Sequence, residues 1–234
     1  MLIAGQALVG TSFLWVFYMA LEPFVRRRWP HTLIAWNRLA AGRFRDPLIG
    51  RDILVGALAG MALVLAHQLD LASLLLGRAP AVAADLNTPN TPWEMAEVFF
   101  LSAFFGVFFS IGLLFILSLL QALVRRAWLA RLLLFLLVLA PAFLRGGDPL
   151  VSSVRSGIVA AVIVFILVRI GLLAFATLMF TYVVLSSGAL TLDWSAWYGG
   201  PSFAVLGFFA ALLIAAFYTS LGGKPLLGKA LVDD

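Results

Sequence analysis

Cysteine is absent from this chain of 234 residues, which excludes disulfides, thiolate metal sites and cysteine nucleophiles, and leaves the redox compartment open. Charge is scarce as well. Only 12% of residues are Asp, Glu, Lys or Arg, where a soluble domain uses about a quarter to cover its surface. Soluble-enzyme signatures are also missing: there is no H-E-x-x-H, no G-x-S-x-G, no Walker lysine loop and no glycine-rich kinase loop. No set of acids and histidines of the kind a metal-dependent intramembrane protease needs is found. The chain is therefore expected to hold no catalytic site, no metal and no cofactor. Met1 opens directly into an apolar run, with neither a basic n-region nor an A-x-A site, so a removable signal peptide is not expected. Repeats, low-complexity tracts and a second soluble domain are lacking too, and the lack of inverted repeats argues against a common transporter architecture.

What is present is apolar surface in long blocks. Hydrophobic residues make up 63% of the chain and the mean hydropathy is +1.07. Blocks of this length are the signature of lipid as solvent. The expected fold class is all-α: a polytopic transmembrane helical bundle of five to seven spans, with one cytoplasmic interfacial helix. Of the 16 Lys and Arg residues, all but Arg169 sit between blocks. The net charge of +5 thus points to span orientation and anionic headgroups, and nucleic acid is not an expected partner.

The first expected span, 2–25, stops at Arg26, Arg27 and Arg28, which places that end in the cytoplasm and the N-terminus outside. Segment 26–52 is too polar to cross. Within it, Trp29, Leu33, Trp36 and Ala40 recur at helical spacing with Arg38 on the opposite side, and Gly42 ends the pattern. The expectation is a helix lying in the cytoplasmic interface, followed by an Asp46 cap and Pro47 at the first helical position. A second span is expected at 53–76, with Gly56 and Gly60 at GxxxG spacing for close packing inside the bundle. Thr91-Pro-Trp-Glu94 reads as a capping box that opens a third span, 96–124, ending at Arg125, Arg126 and Arg131.

Region 127–187 fits two topologies. In one, 127–144 re-enters the membrane or lies at the interface, and 158–187 is one tilted span with Arg169 at membrane depth. In the other, 127–144, 151–168 and 171–187 each cross, with Arg169 at a tight cytoplasmic hairpin. A last span, 203–221, follows an outer loop carrying Asp193, Trp194, Trp197 and Tyr198, and its Gly222-Gly223 stop leaves Lys224 and Lys229 inside. The orientation is N-out and C-in.

Ionisable groups at membrane depth are functional candidates by default. His67 and Asp70 share a face near the outer end of the second span and suit a proton relay or a metal pair, though one His and one carboxylate fall short of a typical metal site. Arg169 suits an anionic headgroup, a substrate or an acid from another span. Glu94 and Glu97 read as cap and helix-dipole chemistry. The densest feature is the belt of Arg26, Arg27, Arg28, Arg38, Arg43, Arg45 and Arg51 with Trp29 and Trp36. It reads as a cytoplasmic platform, drawn to anionic lipid by about 1 kcal/mol per basic residue.

The stretch Ala20-Leu-Glu-Pro-Phe-Val-Arg-Arg-Arg-Trp-Pro-His31, with Trp36-Asn-Arg-Leu39 and Gly42-Arg-Phe-Arg-Asp-Pro-Leu-Ile-Gly-Arg-Asp52, resembles the C-terminal membrane region of bacterial, acidobacterial-type serine/threonine protein kinases. Arg169-Ile-Gly-Leu-Leu-Ala174, Leu190-Thr-Leu-Asp-Trp-Ser-Ala-Trp-Tyr198 and Gly223-Lys-Pro-Leu-Leu227 resemble later landmarks of the same region. In such proteins a cytoplasmic kinase domain precedes the membrane region, and none of its motifs occurs here. The resemblance implies a non-catalytic module of the bacterial plasma membrane that anchors a kinase domain or passes a signal to it, with membrane lipids as the other partner. Outer loops 77–95 and 188–201 are then the candidate sensing surface. The alternative is a small transporter or channel with His67, Asp70 and Arg169 lining a polar path; an intramembrane enzyme is a third reading.

Overall fold

A computed structural model describes residues 30–68, 91–140, 149–187 and 199–223, together with Ser12, Trp15, Val16, Met19 and Asp193. All regular structure among them is helical. A 3-10 turn, Pro30–Leu33, runs into α1 (Ile34–Ala40); α2 is Pro47–Gln68, α3 Pro92–Val124 and α4 Ala127–Leu139. Helix α5 (Pro149–Phe165) continues as a π-turn, Ile166–Ile170, and α6 (Leu172–Ser186) and α7 (Gly199–Ser220) complete the order. Three of these helices, α2, α3 and α7, are long and apolar enough to cross a membrane. Of the first expected span only Ser12, Trp15, Val16 and Met19 are described, each helical and exposed; the rest of 2–25, with Arg26, Arg27, Arg28 and Trp29, lies outside the described residues.

Helix α6 is the centre. Leu172, Leu173, Ala174, Phe175 and Ala176 are all buried, and five consecutive helical residues point in every direction around the axis. The inner end of α6 is therefore enclosed on all sides, and its neighbours are α1, α2, α3 and the π-turn. Small residues make this possible. A β-carbon on Gly56 would meet the Ala174 carbonyl oxygen, and one on Gly60 would lie 2.8 Å from that of Leu178. The GxxxG pair thus packs inside the bundle, its small residues letting two backbones approach closely. The rising numbers on both sides show that α2 and α6 run parallel.

Helices α3 and α7 run the other way. Phe99 meets Phe180 at a ring separation of 5.9 Å, while Gly106, later in α3, faces the earlier Ala176 carbonyl. Val205 and Phe209 of α7 join Val64, Val184 and Leu185 in one apolar cluster, while the far end of α7 reaches Gly50, whose added β-carbon would lie 2.6 Å from the Ala216 carbonyl. The four helices therefore have two common ends. Gln68, Thr91, Ser186 and Gly199 lie at one; Pro47, Leu172 and Ser220 lie at the other.

The α3 start follows the sequence reading. Thr91 Oγ1 accepts from the Glu94 amide at 3.2 Å and Glu94 Oε2 accepts from the Thr91 amide at 3.3 Å. At 33 residues α3 is about 50 Å long, and its last turns extend past the start of α6. Arg125 in the left-handed conformation (φ 57°) ends it, and α4 folds back on the extension, with Ala130 and Leu134 joining Leu114 and Leu117 in the main core.

Some polar residues within these apolar helices satisfy themselves, whereas Ser102 Oγ, Gln121 Oε1 and Thr181 Oγ1 are buried without a hydrogen-bond partner among the described residues. The hydroxyls of Ser110, Ser118 and Thr177 donate to the carbonyls of Gly106, Leu114 and Leu173 at 2.6–2.9 Å, one turn back on their own helices.

Candidate platform at one end of the bundle

The platform is built from the 3-10 turn, α1, the turn after it and the first turn of α2. Its buried face overlaps the predicted stripe. Thr32, Leu33 and Ala35 are buried, Trp36 and Leu39 are half-buried, and Ala40 is exposed. Leu33 and Trp36 of the expected stripe thus face inward, with Thr32 and Ala35 buried beside them, and Ala40 alone of the described stripe residues is exposed. Ala35 and Leu39 pack with Ile49 and Ile53 of α2 and Leu173 of α6.

Asp46 ties these elements together. One carboxylate oxygen accepts from the Leu48 amide at 3.0 Å, capping α2 as the sequence suggested, and the other accepts from Arg38 at 2.6 Å. The Leu48 amide, with Arg38 beside it, holds the Asp46 carboxyl below the usual carboxylate range. Sequence reasoning found the cap but not the Arg38 partner, which lies eight residues back on the preceding helix. Asp52 was missed altogether. Its side chain is 3% exposed, and Oδ1 accepts from Arg51 Nε and Nη2 at 3.1 and 2.8 Å. The signal was a second acid closing a basic stretch.

Arg169 occupies the last turn of the π-segment and is exposed. The helix breaks two residues later at Gly171, whose φ of 136° and ψ of −172° suit glycine alone. Gly171 lies against the platform: an added β-carbon would be 2.7 Å from the Thr32 carbonyl oxygen. The 3-10 turn packs on the π-turn as a whole, and α5 is not among the helices that pack along α6. Two regions more than 130 residues apart in the chain thus meet at one level of the bundle.

Of the three candidate polar residues, the two carried by described helices lie towards opposite ends of the bundle. His67 is the penultimate residue of α2, at the Gln68 end, whereas Arg169 precedes the opposite end of the parallel helix α6. With Gly56 level with Ala174, their backbones are separated along the bundle by on the order of 25 Å. Asp70 lies outside the described residues, as do loops 69–90 and 194–198. Among the described residues no three His, Asp or Glu side chains converge as a metal site. The described arginines of the platform lie at one end, with Asp46 and Asp52 among them. Arg38, Arg43, Arg45, Arg51 and Arg169 cluster around the starts of α2 and α6, while Glu94 and Glu97 stand at the start of α3, the opposite end.

The described residues form an all-helical bundle with three helices of membrane length and a short buried helix, carrying an arginine-rich platform at one end. Comparison with protein-family models, curated proteins and solved structures finds no match to this chain.

Proposed function

We propose that this chain is a non-catalytic membrane module that anchors, and passes displacement to, a cytoplasmic domain, as in the membrane region of the serine/threonine protein kinases its sequence resembles. The platform is the cytoplasmic face, the N-terminus lies outside and the C-terminus inside, and the membrane is the bacterial plasma membrane. The observation that carries this reading is the seating of the platform on the central helix. Thr32 rests against Gly171 at the entry to α6, so a pull on the segment before Pro30 bears on the helix against which α1, α2, α3 and the π-turn pack. A π-turn at that contact is consistent with a functional break in a helix. The wide separation of His67 from Arg169 favours this reading over a shared polar path.

Two experiments test it. In liposomes, the purified chain is expected to give no proton or potassium flux above empty vesicles; a flux abolished by Arg169→Gln overturns the module in favour of a transporter. In host membranes, a photo-cross-linker at Trp36 is expected to capture a polypeptide bearing serine/threonine kinase motifs. Capture confined to lipid overturns the kinase partner.

A further inference from the structure

Of the four platform arginines described, two are matched by carboxylates. Arg38 is held by Asp46 at 2.6 Å and Arg51 by Asp52 at 2.8 Å. Arg43 and Arg45 are exposed and contact no carboxylate among the described residues; Arg43 adds only to the field at Asp46. Both belong to a closed turn. The Asp46 amide donates to the Arg43 carbonyl at 3.1 Å and the Arg43 amide to the Arg38 carbonyl at 3.0 Å, so Phe44 and Arg45 are the two central residues of a four-residue turn. Central residues direct their side chains away from the loop, and Phe44 is 67% exposed. An open depression is lined by Gly42, Arg43, Phe44, Arg45, Asp46 and Pro47.

The place of this turn in the bundle decides its partner. A β-carbon on Gly222 would lie 2.8 Å from the Pro47 ring, and Gly50 meets Ser220. The turn therefore sits where the membrane-length helices α2 and α7 both reach their ends, the depth of lipid phosphates when those helices cross. An apolar ring between two unmatched guanidinium groups fits a molecule with an anionic head and a hydrocarbon body. Guanidinium binds a phosphodiester through paired N–H donors, and a phenyl ring at that depth enters the acyl boundary.

We propose that turn 43–46 binds the phosphodiester headgroup of an anionic phospholipid, with Arg43 and Arg45 on the phosphate and Phe44 inserted beside the acyl chains. This rests on the reading of the chain as a membrane module, and goes beyond it by selecting two of the arginines and one lipid class.

The test uses the full chain in nanodiscs of phosphatidylcholine, with and without phosphatidylglycerol. Native mass spectrometry is expected to show phosphatidylglycerol retained preferentially by the wild type. In Arg43→Gln and Arg45→Gln the preference should fall by roughly fivefold per arginine removed. An unchanged preference in the double variant overturns the site. Since the chain has no cysteine, Phe44→Cys takes a bimane label at one position. Quenching by brominated lipid supports insertion; quenching by aqueous iodide overturns it and leaves the turn to an acidic protein surface. Inorganic phosphate added to phosphatidylcholine discs is expected to leave the melting temperature unchanged, and stabilisation equal to that of phosphatidylglycerol overturns a lipid source. Failure of the chain to float with vesicles defeats the module reading itself, whereas flotation with an aqueous label defeats only the lipid site.

Discussion

The crossing of α2 on α6 and the platform beneath it hold helices together by different physics. At the crossing, Gly56 and Gly60 bring backbone against backbone, and the attraction is close contact alone. At the platform, Asp46 joins α1 to α2 through an amide and a guanidinium. On the membrane reading proposed above, the difference follows from the solvent. Inside hydrocarbon, a salt bridge must first shed its hydration, which costs more than the pair returns, whereas small residues gain dispersion without desolvating anything. At the interface water and headgroups lower that cost, and charged pairs become usable.

This contrast can be broken at four points. The largest effect is expected at the crossing. Gly56→Leu has no space to occupy, because even its first carbon meets the Ala174 carbonyl, and overpacking of this kind costs about 1–3 kcal/mol or more. Gly112→Leu is the control, since nothing lies within 4 Å of a β-carbon there. Equal unfolding of the two variants in bicelles would remove steric fit as the organising force.

Next comes Gly171→Val, where a left-handed φ of 136° and the Thr32 backbone both oppose the new side chain. Strain of about 1–3 kcal/mol is expected to lift the platform from α6, which would be read as faster tryptic cleavage after Arg38 and Arg43. Cleavage at the wild-type rate would mean that the platform is held by α2 alone.

A smaller loss, about 1 kcal/mol, is expected for Thr91→Ala, which removes the α3 capping box. Helical circular dichroism on heating should show it, and an unchanged melting curve would mean that bilayer insertion alone fixes that end. The smallest and most condition-dependent effect belongs to Asp46→Asn. Because the Leu48 amide lowers the Asp46 pKa in the folded state, its stabilisation is complete above the ordinary carboxylate value near 4 and fades as pH falls through the lowered folded value. The wild type should melt above the variant from about pH 5 to 8 and converge with it below about pH 4. A pH-independent difference would reduce Asp46 to a packing role. Salt should shrink this difference and leave the Gly56 effect unchanged.

Much of this was legible in local sequence because the rules involved are local. Thr91-Pro-Trp-Glu94 becomes a capping box, Asp46-Pro47 a helix start and Gly42 a helix stop wherever they occur in a chain. The spacing of Gly56 and Gly60 announced a close approach, though not the helix it serves. The platform's inward face was legible at Leu33 and Trp36, whereas the burial of Thr32 beside them depends on what the opening turn packs against, here the π-turn. Among the candidate residues, Arg169 stood out as a charge in an apolar run, but its level relative to Thr32 and its distance from His67 depend on the register between α2 and α6. That register is set by contacts between segments more than 100 residues apart in the chain.

Composition and block length by themselves determined that this protein is helical and has helices of membrane length, because lipid leaves a backbone no other way to satisfy its polar groups than helices or closed barrels. Tertiary structure alone decided which helix is central, and it is not one of membrane length. Helix α6 is the shortest apolar segment after α4, and nothing in its own residues marks it out. It is buried because four neighbours present glycines, small residues and one platform turn to it, a property of pairs of surfaces that no single segment encodes.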